Sequence, residues 1–424
     1  MLPDFRQQAL MYETPTLTLN SGDVEGGVEE LKQFHAAFAG CFARKESREN
    51  AYTYLVGRLS PLERKTIEPI ALHVEGSRSV RSMQRSISEG GIDEEAALER
   101  YQTMVAAEMG EADGVLMFDE YGVVKKGTDS AGVARQYCGN RGKVENCQVG
   151  VFVGYASRQG YALVDKRLYL PAQWFDEAWA EKRRRCQVPA QVSFKTKPEL
   201  AAEMLLQIYR QGILPFRYIV ADTVYGDNLS FIEAADRCIG TTYCVSVPAD
   251  TLCWLQRPLT TTKTYRYKGK VRTKRILKPP KTAPITVAQV AERLHPQFWY
   301  TRTVSEGTKG PITYAFARRR ITLAKKGLPW KTVWLIMKRT LGANPTYWFY
   351  LSNASTSIRL DVCVWLSGRR WAIEQCFEEG NQEVGMDHYE VRKYQGWHHH
   401  MFFCMLAHFF LWHLLLTLKK TRHV

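Results

Sequence analysis

Apolar positions change their period several times along the chain, and the changes divide it. Between residues 28 and 42 the apolar side chains Leu31, Phe34, Ala37, Phe38 and Cys41 recur three or four apart, which predicts a helix with one buried stripe. A second helical pattern begins at 51–59. Ser60 ahead of Pro61 and Glu63 predicts a helix start leading into LERKTIEPIALHV. Gly90-Gly91 closes the next segment, and 93–109 reads as a helix rich in Ala and Glu. Residues 1–110 are therefore expected to be mostly helical.

At Gly114 the pattern switches to strands. VLMF, 115–118, is a continuous apolar run of the kind a strand covered on both faces carries, and it breaks off at Asp119-Glu120. Two further runs, 149–157 and 161–171, with short connections, predict an antiparallel meander. Residues 173–187 are polar helix or loop around Lys182-Arg183-Arg184-Arg185, and 198–212 is a helix with Leu200, Met204, Leu205 and Ile208 on its apolar side. A second buried strand, 218–221, ends in Asp222; a short helix at 231–238 and a strand at 243–247 follow. Residues 114–248 thus predict a mixed sheet with crossover helices. From 251 to about 355, aromatic-rich strands alternate with turns, a β-rich insertion domain. Residues 401–418 are strongly apolar, but His408, His413 and Thr417 interrupt them, so a buried C-terminal helix is expected rather than a membrane span. The expected divisions are 1–110, 111–250, 251–355 and 356–424.

Composition sharpens this picture. The chain has 424 residues, 45% hydrophobic and 24% charged, the balance of a globular protein and not of a disordered one. Its formal net charge of +15 comes with 21 Tyr, 18 Phe and 11 Trp, so phosphate-pairing and base-stacking groups occur together, and nucleic acid is the expected partner. Segment 261–281 holds nine Lys or Arg and no acid, with Tyr265 and Tyr267 interleaved. A solvated loop has that composition, and so does a phosphate-tracking arm through Lys263, Arg266, Lys268, Lys270, Arg272, Lys274 and Arg275. The N-terminal helices carry Arg44, Lys45, Arg48, Arg58, Arg64, Lys65, Arg78, Arg81 and Arg85, which suits a DNA-end-binding domain as well as a plain helical cap. Ten scattered cysteines show no Cys-x2-Cys pair, which excludes a structural zinc site of ordinary spacing. The first residues lack a signal-peptide pattern, so reduced thiols and a cytoplasmic location are expected.

Candidate chemistry rests on three acids. Asp119 and Asp222 each follow an apolar strand run, and Glu374 stands four residues after Arg370 in RRWAIEQCFEEGNQEVGM, 369–386, where Ile373 and Phe377 form an apolar side and Gly380 a helix end or kink. Taken one at a time these are a salt-bridge pair and two turn-capping acids. Converging at the edge of one sheet, three carboxylates would repel one another, and two Mg2+ ions resolve that repulsion. Such ions bind oxygen ligands, lie about 3.5–4 Å apart and stabilise the attacking and leaving oxygens of a displacement at phosphorus.

The segments VLMFDEYGVVKKG, ARQYCGNRGKVENCQVGVF, VADTVYGDN and RRWAIEQCFEEGNQEVGMDHYEVR resemble the DDE transposases of bacterial insertion sequences, the insertion sequence 701 group in particular. The resemblance spans nearly the whole chain. It implies an α/β fold, an RNase H-like mixed sheet with flanking helices, joined by an N-terminal helical DNA-binding domain and a β-rich insertion domain that contacts the transposon end and the partner subunit. It also implies that Asp119, Asp222 and Glu374 are the catalytic, metal-binding triad for Mg2+, with Mn2+ able to substitute. A related signature, Tyr-x2-Arg-x3-Glu-x6-Lys, is met here by Arg370 and Glu374 but has Ser367 and Asn381 at its Tyr and Lys positions. Arg392 and Lys393, or the basic arm, are then candidates for the missing cation.

The activity so implied is Mg2+-dependent hydrolysis at transposon ends followed by joining of the 3′-OH to target DNA. Its partners would be double-stranded DNA and a second copy of the chain once ends are bound, with no membrane, in a nucleoid-associated protein of the bacterial cytoplasm. A catalytically silent DNA-binding protein with the same fold is the alternative. A nuclease that only hydrolyses is a third reading, against which the large insertion domain argues.

Overall fold

The computed structural model describes residues 21–74, 79–280, 282–307 and 310–422; residues 1–20, Arg78 and Lys281 of the reading above lie outside the described residues. Five helices open the chain: α1 (Ser21–Ala36), α2 (Lys45–Leu59), α3 (Ile67–His73), α4 (Val80–Glu89) and α5 (Glu94–Met109). The helix start expected at Ser60 is not there. Ser60 instead terminates α2 in extended backbone, its hydroxyl donating to the Gly57 carbonyl at 2.7 Å, and α3 begins only after Thr66. Pro61 cannot continue the hydrogen-bond ladder of the helix before it, and here that stop signal prevails over the start signal.

Strands β1 (Val115–Val124), β2 (Ala134–Cys138), β3 (Lys143–Ala156) and β4 (Tyr161–Tyr169) follow. β3 pairs antiparallel with β1, β2 and β4. Asp119 does not end β1 as the sequence suggested; the strand runs on to Val124 with Asp119 opposite Phe152 and Glu120 opposite Val151. The two acids point to opposite faces, and each meets a cation there. Arg370 pairs with Asp119, and Lys197 pairs with Glu120 at 2.7 Å. A charge pair that reads as a strand terminator is tolerated mid-strand because both carboxylates are compensated.

The chain continues through α6 (Ala180–Arg185), α7 (Lys197–Gln211), β5 (Tyr218–Ala221), α8 (Thr223–Gly226), α9 (Leu229–Arg237) and β6 (Thr242–Val247). α7 starts in a capping box between Thr196 and Glu199 and ends at Gly212 with φ 64°. This succession of antiparallel meander, crossover helix and a parallel strand pair, β5 with β6, is a mixed α/β arrangement with flanking helices. The remaining strands are β7 (Leu252–Trp254), β8 (Thr260–Tyr267), β9 (Lys270–Leu277), β10 (Ile285–Thr286), β11 (Tyr300–Gly307), β12 (Gly310–Lys325), β13 (Leu328–Arg339) and β14 (Tyr347–Ser352), with α10 (Val287–Glu292) between β10 and β11. Helices α11 (Leu360–Arg369), α12 (Trp371–Gln382) and α13 (Tyr394–Arg422) complete the chain.

Two compact units emerge. One comprises Tyr218–Ile232 and Ile239–Arg369, with strands in the order β10-β7-β12-β13-β14-β6-β5 and the hairpin β8-β9 as a separate sheet. Ala317, Ile321, Val333, Leu335 and Met337 form its core. The other comprises the described residues before Tyr218 together with Glu233–Cys238 and the described residues from Arg370 on. There α12 and α13 pack on the face of β3 that carries Gly150 and Gly154. A Cβ at Gly154 would lie 3.2 Å from Ile373 Cγ1, and one at Gly150 would lie 2.6 Å from the Trp397 ring, so glycine is what admits the helices. α13 is long and apolar enough to cross a membrane by length and composition, yet most of it is buried within this unit.

Candidate active site

β1 and α12 bring Asp119 and Glu374 to one guanidinium. Arg370 Nη1 donates to Asp119 Oδ2 at 2.6 Å, and its Nη2 forms an ion pair with Glu374 Oε1 one helical turn along. The other Asp119 oxygen accepts the Glu120 backbone N–H at 2.8 Å. α12 is held in this register by its apolar side. Ile373 is fully buried, and the Phe377 ring stacks on Tyr121 at 5.1 Å and meets Phe152 edge-on at 5.4 Å. Side-chain exposure is 12% for Asp119 and 48% for Glu374, so one carboxylate is anchored and the other faces solvent. Two carboxylates that share one positive group fit a cation with oxygen ligands.

Asp222 follows β5 as the N-cap of α8, its Oδ1 accepting the Val224 N–H at 3.0 Å. It belongs to the unit that does not contain Asp119 and Glu374. Among the described residues, no three His, Cys, Asp or Glu side chains are gathered as a metal-holding group.

The two departures from the signature are both engaged. Asn381 Oδ1 accepts the Tyr121 hydroxyl, and Ser367 donates to the Val364 carbonyl at 2.7 Å. Burial, with Asp387 nearby, pushes the Tyr121 hydroxyl well up, so it remains a donor. Gly380 does not end α12, which runs on to Gln382; Met386 occupies the space beside it, its sulfur 3.1 Å from where a Cβ would stand, which favours glycine there.

Beyond Gln382 the chain turns through Gly385, φ 62°, and here two of the N-terminal cations for which DNA binding and a plain helical cap stayed open are internal. Arg58 is 0% exposed and donates to the carbonyls of Val384 at 3.3 Å, Gly385 at 2.8 Å and His388 at 3.2 Å, and to the Tyr54 hydroxyl. Lys65, 7% exposed, donates to the Glu383 carbonyl at 2.5 Å and the Arg58 carbonyl at 2.8 Å. The Glu383 carbonyl is the one at the α12 terminus, and those of Val384, Gly385 and His388 belong to the turn that follows; the two cations satisfy these acceptors. They fix the end of the helix that bears Glu374.

Glu379, which beside Glu378 has the sequence character of solvated charge, is instead partly buried and engaged. It accepts from Tyr161 at 2.6 Å and lies 2.8 Å from His408 Nε2; burial alone would raise its pKa, but these bonds and that of Gln375 hold it below the usual carboxylate value. A signal was present, since Ala372, Cys376 and Glu379 share one helical stripe. Glu378, by contrast, is exposed.

Of the basic segment, residues 261–277 lie in an exposed hairpin, β8 with β9. The register Lys263↔Lys274, Tyr265↔Arg272 and Tyr267↔Lys270 sets four cations and two tyrosines on one face, with Arg266 and Arg275 on the other and Lys268-Gly269 at the turn. Arg272 lies 5.3 Å and Lys268 5.7 Å from the Tyr267 ring centre. Among the described residues, none of these cations forms an ion pair. Arg392 is exposed, whereas Lys393 is paired with Glu89.

The family model described as DDE superfamily endonuclease matches residues 37–311, a span that contains Asp119 and Asp222 and ends before Glu374. A probable transposase for insertion sequence element IS701 from Microchaete diplosiphon is 30% identical over 200 residues, 46% of this chain and 48% of that protein, so the chain spans about half the length of this relative. Among solved structures, the piggyBac transposase in a synaptic complex with hairpin DNA is similar at TM-score 0.42 and 10% identity, over 93% of this chain and 74% of that one.

Proposed function

The chain belongs to the DDE superfamily of endonucleases, and from that membership we propose that it is a DNA transposase, binding transposon ends, cleaving the phosphodiester and joining the freed 3′-OH to target DNA. The observation that carries the reading is the meeting of Asp119 and Glu374, from elements remote in sequence, on the single cation of Arg370. In this reading Asp119, Asp222 and Glu374 would hold two Mg2+ ions, with Mn2+ able to substitute, and the chemistry so supplied would be Lewis-acid polarisation of a phosphate and activation of the attacking oxygen.

The chain's own residues do the rest. Arg370 keeps two like charges compensated while DNA is absent and, with its planar fork, is suited to turn to a phosphate when it arrives. Arg58 and Lys65 keep α12 from shifting along the strand. The hairpin face of Lys263, Lys270, Arg272 and Lys274 tracks phosphates, with Arg392 as a further contact. A dimer on paired ends, in the nucleoid of a bacterial cytoplasm, is the assembly this chemistry calls for.

One observation favours the second reading, a catalytically silent DNA-binding protein: Asn381 stands where the signature has a cation. A labelled terminal repeat incubated with Mg2+ separates the two. Asp119→Asn, Asp222→Asn and Glu374→Gln should each lower cleavage on the order of 1000-fold, since a metal site removes several kcal/mol from the barrier and every 1.4 kcal/mol or so is tenfold. Glu120→Gln, Asp227→Asn and Glu378→Gln should retain most activity. Equal rates in all six variants would discard the three-carboxylate mechanism; no cleavage by the wild type on ends that it binds would establish the silent reading.

A further inference from the structure

A second concave site lies among the N-terminal helices. The start of α2 (Ala43, Arg44, Glu46, Ser47), Asn50 one turn further on, and the α4 stripe Ser82, Arg85, Ser86 and Glu89, closed by Gly90-Gly91, line an open-sided cavity of about 540 Å3. That is ample for a phosphate with an attached sugar.

The hydrogen-bond polarity of the cavity is set by Asn50. This side chain is 2% exposed and donates both amide hydrogens, to Ser82 Oγ at 3.1 Å and to Ser86 Oγ at 2.8 Å. Helical serines commonly turn their hydroxyl hydrogen back onto a carbonyl of the preceding turn. Among the described residues neither serine does so. With each oxygen already accepting from Asn50, the hydroxyl hydrogens remain as donors beside the cavity. Charge agrees with polarity. Arg44 and Arg85 are exposed at the rim, and of the two acids there, Glu89 is neutralised by Lys393 while Glu46 has no ion-pair partner among the described residues. Two guanidinium groups and two hydroxyl donors around a small polar cavity suit a tetrahedral oxyanion.

We propose that this cavity binds a phosphate group. Two sources share that chemistry, a DNA backbone phosphate and free phosphate; only the choice between them rests on the DNA-acting reading above. The test uses the full chain, Arg44→Gln/Arg85→Gln as the principal variant, Ser82→Ala/Ser86→Ala as a second, and Arg81→Gln, an exposed α4 cation outside the cavity, as control. Thermal unfolding is followed in inorganic phosphate and in chloride at equal ionic strength. Duplex binding is followed by anisotropy from 50 to 200 mM salt, ranges chosen because each phosphate contact contributes about 0.9 to the slope of log K against log salt.

Phosphate should raise the Tm of the wild type and the control more than that of either cavity variant, which removes the general salting effect from the comparison. A DNA slope that also falls by about 1 in the arginine variant assigns the site to the backbone. An unchanged slope with lost phosphate stabilisation assigns it to free phosphate. Equal phosphate stabilisation in wild type and both cavity variants overturns the proposal. Cleavage is not the readout, so failure of the carboxylate mechanism and failure of this site are distinguishable.

Discussion

Arg58→Met tests the claim that the α12 terminus is held from within. The substitution keeps an unbranched stem as far as the Nε position and removes the guanidinium, leaving the carbonyls of Val384, Gly385 and His388 without their buried donor. An unsatisfied buried acceptor costs roughly 1–3 kcal/mol, so three could cost more than 3 kcal/mol; against this, methionine need not be stripped of water as a charge must, which returns part of the loss. The expected net destabilisation is about 2–4 kcal/mol. Urea unfolding measures it, and the m value should stay constant if only the native state is affected. Amide exchange over 383–388 should accelerate. DNA binding supplies the opposite arm: a fully buried Arg58 contributes no phosphate contact, so the salt slope of the variant should equal that of the wild type. Stability within about 0.5 kcal/mol of wild type, the range of an ordinary surface change, would refute the clamp, and a flatter salt slope would return Arg58 to the DNA interface.

Two further predictions concern charge. Replacing Lys268, Lys270, Arg272 and Lys274 by Ala should reduce the salt slope of DNA binding by about 3–4 if each meets a phosphate; an unchanged slope removes the hairpin from the interface. The pH dependence of stability should carry opposite contributions from two histidines. Burial, helped by Arg48, lowers His35 from 6.5 to about 4, so the folded state resists its protonation and stability falls as pH drops from 6.5 through 4, by roughly 3 kcal/mol at about 1.4 kcal/mol per unit. His413 is raised by its hydrogen bond to Glu108 and by Glu30, against burial; its contribution is full below 6.5 and is lost as pH rises through the raised value. Denaturant midpoints across pH should therefore flatten on the acid side in His35→Phe and on the alkaline side in His413→Gln. The reverse assignment would show that the sign of one environment has been misread.

Much of the architecture could be read locally. The α7 pattern, the VGVFVGYAS strand, the aromatic strands beyond 251 and the buried character of α13 all rest on periods of two or 3.6 residues, which a short window contains. The same holds for the acids as candidates, since the segments bearing Asp119, Asp222 and Glu374 identify themselves. What those windows do not contain is who compensates a charge. Arg58, Lys65, Asp119, Glu120 and Glu379 are all ionisable and all sit in or beside buried structure, yet the sequence left Arg58 and Lys65 open between a DNA-end-binding domain and a plain helical cap and read Asp119-Glu120 as a strand end. Their partners are the carbonyls of 383–388, Arg370, Lys197 and His408, brought in by helices remote in sequence. Burying a charge is ruinous without such a partner and tolerable with one, so whether a charged residue belongs to the surface or the interior is decided by tertiary contacts and cannot be read from its neighbours in the chain.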